Sequence, residues 1–318
     1  MYRDIDTVIS SRVRLARNLK DYPYMSRIDK NGALEIIERV KNALGDGYSM
    51  VDYENVSVNK ALSQTEKHEI SREFALAKHP HALFSKDDTK IMVCEEDHIR
   101  LQVIKRGFML EECYKEALES DLLLLNKLNI DYSDTLGYLT QCPTNLGTAM
   151  RVSVMMFLPG ICISEKLKTI VSQLDKLGLT IRGMYGEGSE SGAYIYQISN
   201  RETLGISEEK IIAKVSDIVT QITEIERKSR NQLKEKNALV LEDKISRAMG
   251  TLKYAKIMSS EEFARLYALV RLGTETDEEK LDILFSDVMP HTLCEYCNKA
   301  LNEYERDIQR ANYIKNNI

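Results

Sequence analysis

Residues 10–18 read Ser10-Ser11-Arg12-Val13-Arg14-Leu15-Ala16-Arg17-Asn18. In an extended strand the side chains alternate between faces, so Arg12 and Arg14 point the same way. Two guanidinium forks side by side make a clamp for a polyphosphate, because each presents planar N–H donors matched to phosphate oxygens. Taken alone, the stretch reads better as a solvated basic segment. Its meaning depends on what the rest of the chain carries.

Three further stretches qualify. Cys94-Glu95-Glu96-Asp97-His98-Ile99-Arg100 follows a strand-like run, Thr89–Cys94. Alternation sends Glu96 to one face and Glu95 with Asp97 to the other, so one carboxylate can enter a cleft; an acidic turn is the plainer alternative. Cys142-Pro143-Thr144-Asn145-Leu146-Gly147-Thr148-Ala149-Met150-Arg151 has a turn at its core. A cysteine leaving a loop beside cationic groups is poised as a reactive thiolate, whereas a turn with a buried thiol explains the same residues. Arg182-Gly183-Met184-Tyr185-Gly186-Glu187-Gly188-Ser189-Glu190-Ser191-Gly192 is a glycine-rich loop carrying a base and an acid. Such loops close over ligands or merely connect hairpins. The Walker-type G-x-x-x-x-G-K-[ST] loop and the H-R-D and D-F-G sets of protein kinases are absent from the sequence.

In this order, the stretches resemble the signature set of the guanidino kinases, the superfamily of creatine and arginine kinases: S-[ST]-R-V-R, E-E-D-H-[IL]-R, C-P-[ST]-N-[LV]-G-T and R-G-x-x-G-E. The resemblance runs from about Asp4 to Arg230. It implies an α+β fold, an antiparallel sheet flanked by helices of the glutamine-synthetase-like kind, and ATP with Mg²⁺ as the phosphoryl donor. It implies nucleotide contacts at Ser10, Ser11, Arg12, Val13 and Arg14, at Arg100, at Arg151, Val152, Ser153, Val154 and Met155, and at Arg182, Gly183, Met184, Tyr185, Gly186 and Glu187. His81, in His79-Pro80-His81-Ala82-Leu83-Phe84, matches the remaining nucleotide-contacting histidine. Glu96 and Glu187 match the acids that hold the substrate guanidinium, and Cys142 matches the signature cysteine.

The chemistry suits these residue types. A guanidinium is protonated below about pH 12 and is then a poor nucleophile. Paired carboxylates can orient it and accept its proton, while arginines and Mg²⁺ stabilise charge on the transferring phosphoryl group.

Two features resemble the protein-arginine kinase branch. The S-x-R-x-R stretch starts at Ser10, without the helical small-substrate domain that precedes it in free-guanidino kinases. Met155 stands where those kinases carry a histidine. Arg306-Asp307-Ile308-Gln309-Arg310-Ala311 fits that branch's R-D-x-x-R-A motif, which implies a regulatory phosphoarginine pocket. On a helix Arg306 and Arg310 share a face; a surface ion-pair ladder is the alternative. The branch implies protein substrates with exposed arginine, marking for Clp-type ATPase and protease degradation, a zinc-binding activator protein and a homodimer. A free small-guanidino kinase and a non-catalytic phosphoarginine-binding adaptor remain the other readings.

Composition agrees with a globular enzyme. The 318 residues are 43% apolar and carry a net charge of −5, with 44 basic against 49 acidic side chains. That balance argues against a dedicated nucleic-acid binder. No basic leader precedes an apolar run, and no run approaches the ~18 apolar residues of a membrane span, which predicts a soluble, cytoplasmic protein with free thiols. His291, Cys294 and Cys297 offer three metal-ligand types on one segment, where a structural zinc needs four; a helical pair facing one way fits better, and no metal site is expected.

Periodicity sets the organisation. Residues 31–44 read as an amphipathic helix with Leu34, Ile37, Val40 and Leu44 on one face. Gly137–Thr140, Val152–Leu158 and Ala193–Ile198 read as strands. Ser164 is placed as the cap of a helix carrying Leu167, Ile170, Val171, Leu174 and Leu177, ended by Gly178. Ser207 caps a long helix, with Glu208 and Glu209 in its first turn and Ile211, Val215, Ile218, Ile222 and Ile225 as its stripe. A catalytic domain over 4–236 and a helical C-terminal domain over 240–318 follow, the latter including helices at Glu261–Leu272 and Cys294–Ile314.

Overall fold

The strand predicted from the arginine spacing is the centre of the sheet. In the computed structural model, which describes residues 4–184, 192–273 and 277–318, β1 is Val8–Arg17. The elements that follow are α1 (Lys30–Leu44), β2 (Ser49–Asp52), α2 (Val58–Glu66), α3 (Arg72–Ala75), β3 (Ala82–Lys86), β4 (Thr89–Val93), β5 (Ile99–Arg106), α4 (Leu110–Leu125), β6 (Tyr132–Ser133), β7 (Gly137–Tyr138), β8 (Met150–Phe157), α5 (Pro159–Ile163), α6 (Leu167–Lys176), β9 (Leu179–Gly183), β10 (Ile195–Asn200), α7 (Glu208–Tyr254), α8 (Ser260–Arg271), α9 (Glu278–Asp287), α10 (Pro290–Tyr296) and α11 (Glu303–Asn317). Eight strands pair antiparallel in the order β2-β3-β4-β5-β1-β8-β10-β9.

The pleat divides this sheet into two chemically different faces. Val13 and Leu15 of β1, Leu101 and Val103 of β5, and Val152 and Val154 of β8 lie on one face and are buried. They pack against Ile36 and Val40 of α1, Ala117 and Leu124 of α4 and Val215 of α7, which makes one core. The opposite face carries the arginines. Two smaller apolar clusters border it: Tyr53, Ile70, Phe74, Leu83 and Met92 at one side, and Ile195 with Phe263, Tyr267 and Phe285 of the C-terminal helices at the other.

Several local expectations shift. Leu34 of α1 is 45% exposed, and the buried positions are Ala33, Ile36, Ile37, Val40, Ala43 and Leu44. Ser164 does not cap the next helix; it ends α5, and α6 starts at Leu167 after Lys166. Ser207 does cap α7, accepting from Lys210 N. The buried stripe of α7 is Ile211, Ile212, Val215, Val219 and Ile222, while Ile225 is exposed, because the helix also leans on α5. Gly137–Thr140 contracts to the two residues of β7. Cys294–Ile314 is not one helix: α10 stops at Tyr296, and α11 begins behind Asn302, whose side chain forms a capping box with Glu305. α7 leaves helical geometry at Asn237 (φ −143°, ψ 42°). No described helix is long and apolar enough to cross a membrane.

Candidate active site

Cross-strand register gathers the arginines. Arg14 of β1 lies opposite Arg151 of β8, Arg12 opposite Ser153, and Ala16 opposite Arg100 of β5. Arg182 of β9 is opposite Gln197 of β10, which is itself opposite Met155. Neighbouring strands are ~4.8 Å apart, so these side chains crowd one patch. Among the described residues, Arg12, Arg14 and Arg151 of this patch have no ion-paired carboxylate. Arg12 Nε donates to Ser153 Oγ at 3.2 Å and Arg151 Nη2 to Ser199 Oγ at 3.2 Å, both neutral acceptors. Arg100 has a close carboxylate, Glu95 at 2.6 Å. The Nε atoms of Arg14 and Arg151 are buried without a hydrogen-bond partner.

The electrostatic consequence is direct. Burial, then the charges of Arg100 and Arg151, push the Arg12 guanidinium down to about 9. Burial, then Arg12, Arg100 and Arg151, hold Arg14 well below its usual value. Arg151 is lowered by burial, then by Arg182 and Arg100. Buried like charges without counter-charge are costly, and a polyanion would remove that cost.

The acidic stretch forms the turn between β4 and β5. Cys94 takes φ +64°, and its N–H donates to His98 O at 2.8 Å. This turn sorts the carboxylates. Glu95 is buried and accepts from Arg100, from Ser71 Oγ at 2.5 Å and from Glu96 N at 2.7 Å. Asp97 is buried and accepts from Asn18 Nδ2 at 2.6 Å and Gln141 N at 2.8 Å. Glu96 stands exposed at the tip. Partial desolvation, then the charges of Asp97 and Glu95, raise its carboxyl above the ordinary range. His98 is structural: its Nδ1 accepts from Leu19 N at 3.0 Å, so Nε2–H donates to Pro23 O at 3.0 Å.

Asp97 also links the first three signature stretches, since Asn18 closes the arginine strand and Gln141 precedes Cys142. The loop after Cys142 is locked by close approach. Gly147 has φ +103°, and a Cβ there would meet Thr203 O at 2.1 Å. Cys142 is half-buried with Sγ 3.0 Å from Thr144 Oγ1.

A cleft of about 390 Å³ opens beside the arginines. Arg12, Ser153 and Met155 line it from the sheet, Met184 from the end of β9, Phe285 from α9, and His68 from the end of α2. His68 takes φ +60°, and its Nε2 is buried without a partner. Burial, then the charges of Arg12 and Arg14, push it down to about 4, so it is neutral at pH 7.

The expected histidine is therefore misplaced. His81 is 4% exposed, with Nδ1 2.7 Å from His79 O and its ring packed against Phe74 and Tyr53. That apolar cluster occupies it, and His68 is the histidine that meets the arginines. Val13, Val152 and Val154 face the core, and Ser11 donates to Gly107 O at 2.8 Å, so these reach a nucleotide through backbone alone or not at all. Ser10 lines the cleft. Gly183 closes β9; Tyr185, Gly186 and Glu187 lie outside the described residues.

The R-D-x-x-R-A stretch lies on α11. Arg310 is 1% exposed: Nε donates to Val288 O at 3.0 Å, and Nη1 to Met258 O at 2.7 Å and to Asp307 at 2.5 Å. Ala311 is buried in the C-terminal core. These two residues hold the helix in place and do not present a phosphate grip. Arg306 is half-buried and donates to Leu301 O at 2.9 Å. Among the described residues no three His, Cys, Asp or Glu side chains gather as a metal site.

Two family models match the sequence: the ATP:guanido phosphotransferase C-terminal catalytic domain over residues 35–229, and the protein-arginine kinase McsB C-terminal domain over residues 238–318. The chain belongs to the protein-arginine kinase family of guanido phosphotransferases. It is similar to the protein-arginine kinase of Caldanaerobacter subterraneus subsp. tengcongensis, 38% identical over 329 residues that cover 99% of this chain and 98% of that one. The Halothermothrix orenii protein-arginine kinase is 39% identical, covering 98% and 93%. Among solved structures, a duplicated taurocyamine kinase from Schistosoma mansoni, with bound transition-state analogue components, superposes with TM-score 0.63 at 26% identity, over 70% of this chain and 33% of that one. A lombricine kinase shares the fold with TM-score 0.61 at 22% identity, over 71% and 68%. The guanido phosphotransferase fold thus accounts for the antiparallel sheet and its arginine face.

Proposed function

We propose that this chain transfers the γ-phosphate of ATP to the guanidino group of arginine side chains in proteins. The observation that carries the reading is the arginine patch in which Arg12, Arg14 and Arg151 have no ion-paired carboxylate among the described residues, bordered by a cleft on one side and by the exposed Glu96 turn. The triphosphate lies on Arg12, Arg14, Arg100, Arg151 and Arg182, and the base enters the cleft, whose volume is in the range of small-ligand sites. His68 contacts the nucleotide through its unpartnered Nε2. Mg²⁺ arrives as part of the substrate, MgATP, held by phosphate oxygens and water.

Glu96 orients the acceptor guanidinium and takes one proton as its nitrogen attacks the γ-phosphorus. The N–P bond forms as the P–O bond to ADP breaks, and the arginine patch holds charge on the equatorial oxygens. Glu187, by resemblance, is the second acid and Cys142 a group beside the guanidinium. The relatives' family name supports protein arginine as acceptor. The R-D-x-x-R-A stretch remains a phosphoarginine contact through Arg306 and Asp307, with Arg310 as support. A catalytic unit over 4–236 and a helical unit over 240–318, a homodimer, a zinc-binding activator and delivery of substrates to Clp-type proteolysis complete the proposal.

The test is incubation with γ-labelled ATP and either casein or free arginine. Acid-labile label on protein arginine supports the proposal. Label on free arginine alone assigns a small-guanidino kinase, and no label with retained phosphoarginine binding assigns an adaptor.

A further inference from the structure

The end of α2 is held from two sides, and one of them is the C-terminal helices. Glu66 is its last residue. Glu66 Oε1 accepts from His291 N at 2.9 Å, and Oε2 from Thr292 N at 2.8 Å and Thr292 Oγ1 at 2.9 Å. These amides open α10, where they have no acceptor inside the helix. Lys67 follows, with Nζ 3.6 Å from Asp287 at the end of α9, and Asp287 also accepts from the Tyr313 hydroxyl of α11 at 2.9 Å. The chain then turns at His68 in the left-handed region, which a residue with a Cβ occupies only when its surroundings impose it. From the other side, Gln102 of β5 donates Nε2 to His68 O at 3.1 Å and to Glu69 O at 2.6 Å. The left-handed turn thus hangs between the arginine-bearing sheet and the C-terminal helices, and the His68 side chain lines the cleft, beside Lys67.

We propose that Glu66 is a positioning residue for the nucleotide site. By gripping the first amides of α10 it fixes the turn at His68, so MgATP affinity depends on how α10 is docked. Neither Glu66 nor Thr292 lines the cleft, whereas Lys67, His68 and Asp287 do, so an effect on nucleotide binding travels through this segment and is assigned to His68. Whatever shifts α9, α10 or α11 then changes nucleotide affinity by linkage. The inference rests on the cleft being the nucleotide site.

The experiment is calorimetric titration of the full chain with MgATP for Glu66→Ala, Glu66→Gln, Thr292→Val, His68→Ala and the Glu66→Ala/His68→Ala double variant, each checked for cooperative unfolding. Glu66→Ala is expected to weaken MgATP about tenfold, comparable to losing one charge-assisted hydrogen-bond set. Glu66→Gln, which keeps an amide oxygen acceptor, and Thr292→Val, which removes one donor, are expected to weaken it less. For the Glu66 and Thr292 single variants, turnover at saturating MgATP should stay within about twofold, so the change appears in KM. The deciding result is non-additivity: the double variant binds no worse than His68→Ala alone. Additive losses, or unchanged affinity in both Glu66→Ala and Thr292→Val, overturn the proposal. A wild-type chain that does not bind MgATP defeats the reading of the cleft instead. Should Glu66→Ala not fold, Glu66→Gln and Thr292→Val, each paired with His68→Ala, decide the same question.

Discussion

Buried arginines occur in two settings in this molecule. Arg17 meets Asp121 at 2.7 Å, both side chains 2% exposed, with Arg17 also 3.5 Å over the Tyr138 ring. Arg271 meets Asp282 at 2.7 Å and donates to the carbonyls of Ile5 and Asp6. Each of these guanidinium groups has a carboxylate and completes the fold. On the sheet face, Arg12 and Arg151 rest on serine hydroxyls, and Arg14 Nε has no partner. The same side chain is compensated in one region, where it is fully buried, and uncompensated in the other, where it is half-buried. Uncompensated positive charge marks where a ligand belongs, because the protein alone leaves its desolvation cost unmet.

The largest expected effect separates the arginine patch from the chemistry above it. Glu96→Gln should lower phosphoryl transfer by about 10²–10⁴-fold, the usual weight of a general base, with MgATP affinity retained. Near-normal transfer would remove Glu96 from the mechanism; lost MgATP binding would move it into the nucleotide site. The raised carboxyl also sets a pH signature. Glu96 works deprotonated, so kcat/KM falls as pH drops through its folded-state value. That acid limb should lie above the ordinary glutamate value of about 4.3. A limb at or below that value contradicts the assignment.

The paired region should break differently. Arg17→Met leaves Asp121 buried without its counter-charge and should cost about 3–5 kcal/mol of stability in denaturant titration. A loss below about 1 kcal/mol would show that the pair is not structural.

How far these regions were legible differs for a physical reason. Period-two spacing in one strand places Arg12 and Arg14 together; the split between Glu96 and its neighbours matches the alternation expected of a strand, but the turn at Cys94 produces it. His68 was not legible, because its partners Arg12 and Arg14 are distant in sequence and its left-handed turn follows no glycine. His81 attracted the assignment by standing beside a second histidine and a proline, yet Phe74 and Tyr53 enclose it. The break between α10 and α11 had a readable signal, Asn302 with Glu305 three residues on, which is a capping box. Leu34 failed because periodicity in α1 fixes an apolar stripe only to within one residue around the helix, and Ala33 and Ile36 take the inward positions. Arg310 looked like half of a phosphate grip, but the carbonyls of Met258 and Val288 that claim it come from other elements.

The smallest effect is a titration. His68 should titrate near 4 in the free chain. Its folded value is below its unfolded one, so the stability it contributes is full above about 6.5 and is lost as pH falls from there towards 4. MgATP, by offsetting Arg12 and Arg14, should move the midpoint upward in an NMR titration. An ordinary midpoint near 6.5 without nucleotide would place His68 away from the arginines.

The most direct test of the two-region account pairs unfolding with MgATP calorimetry on Arg14→Met. Removing an uncompensated buried charge should leave stability unchanged or raised while weakening MgATP by at least about tenfold, the loss of one charge-assisted phosphate contact. A variant that loses stability as Arg17→Met does, with MgATP affinity intact, would contradict the account.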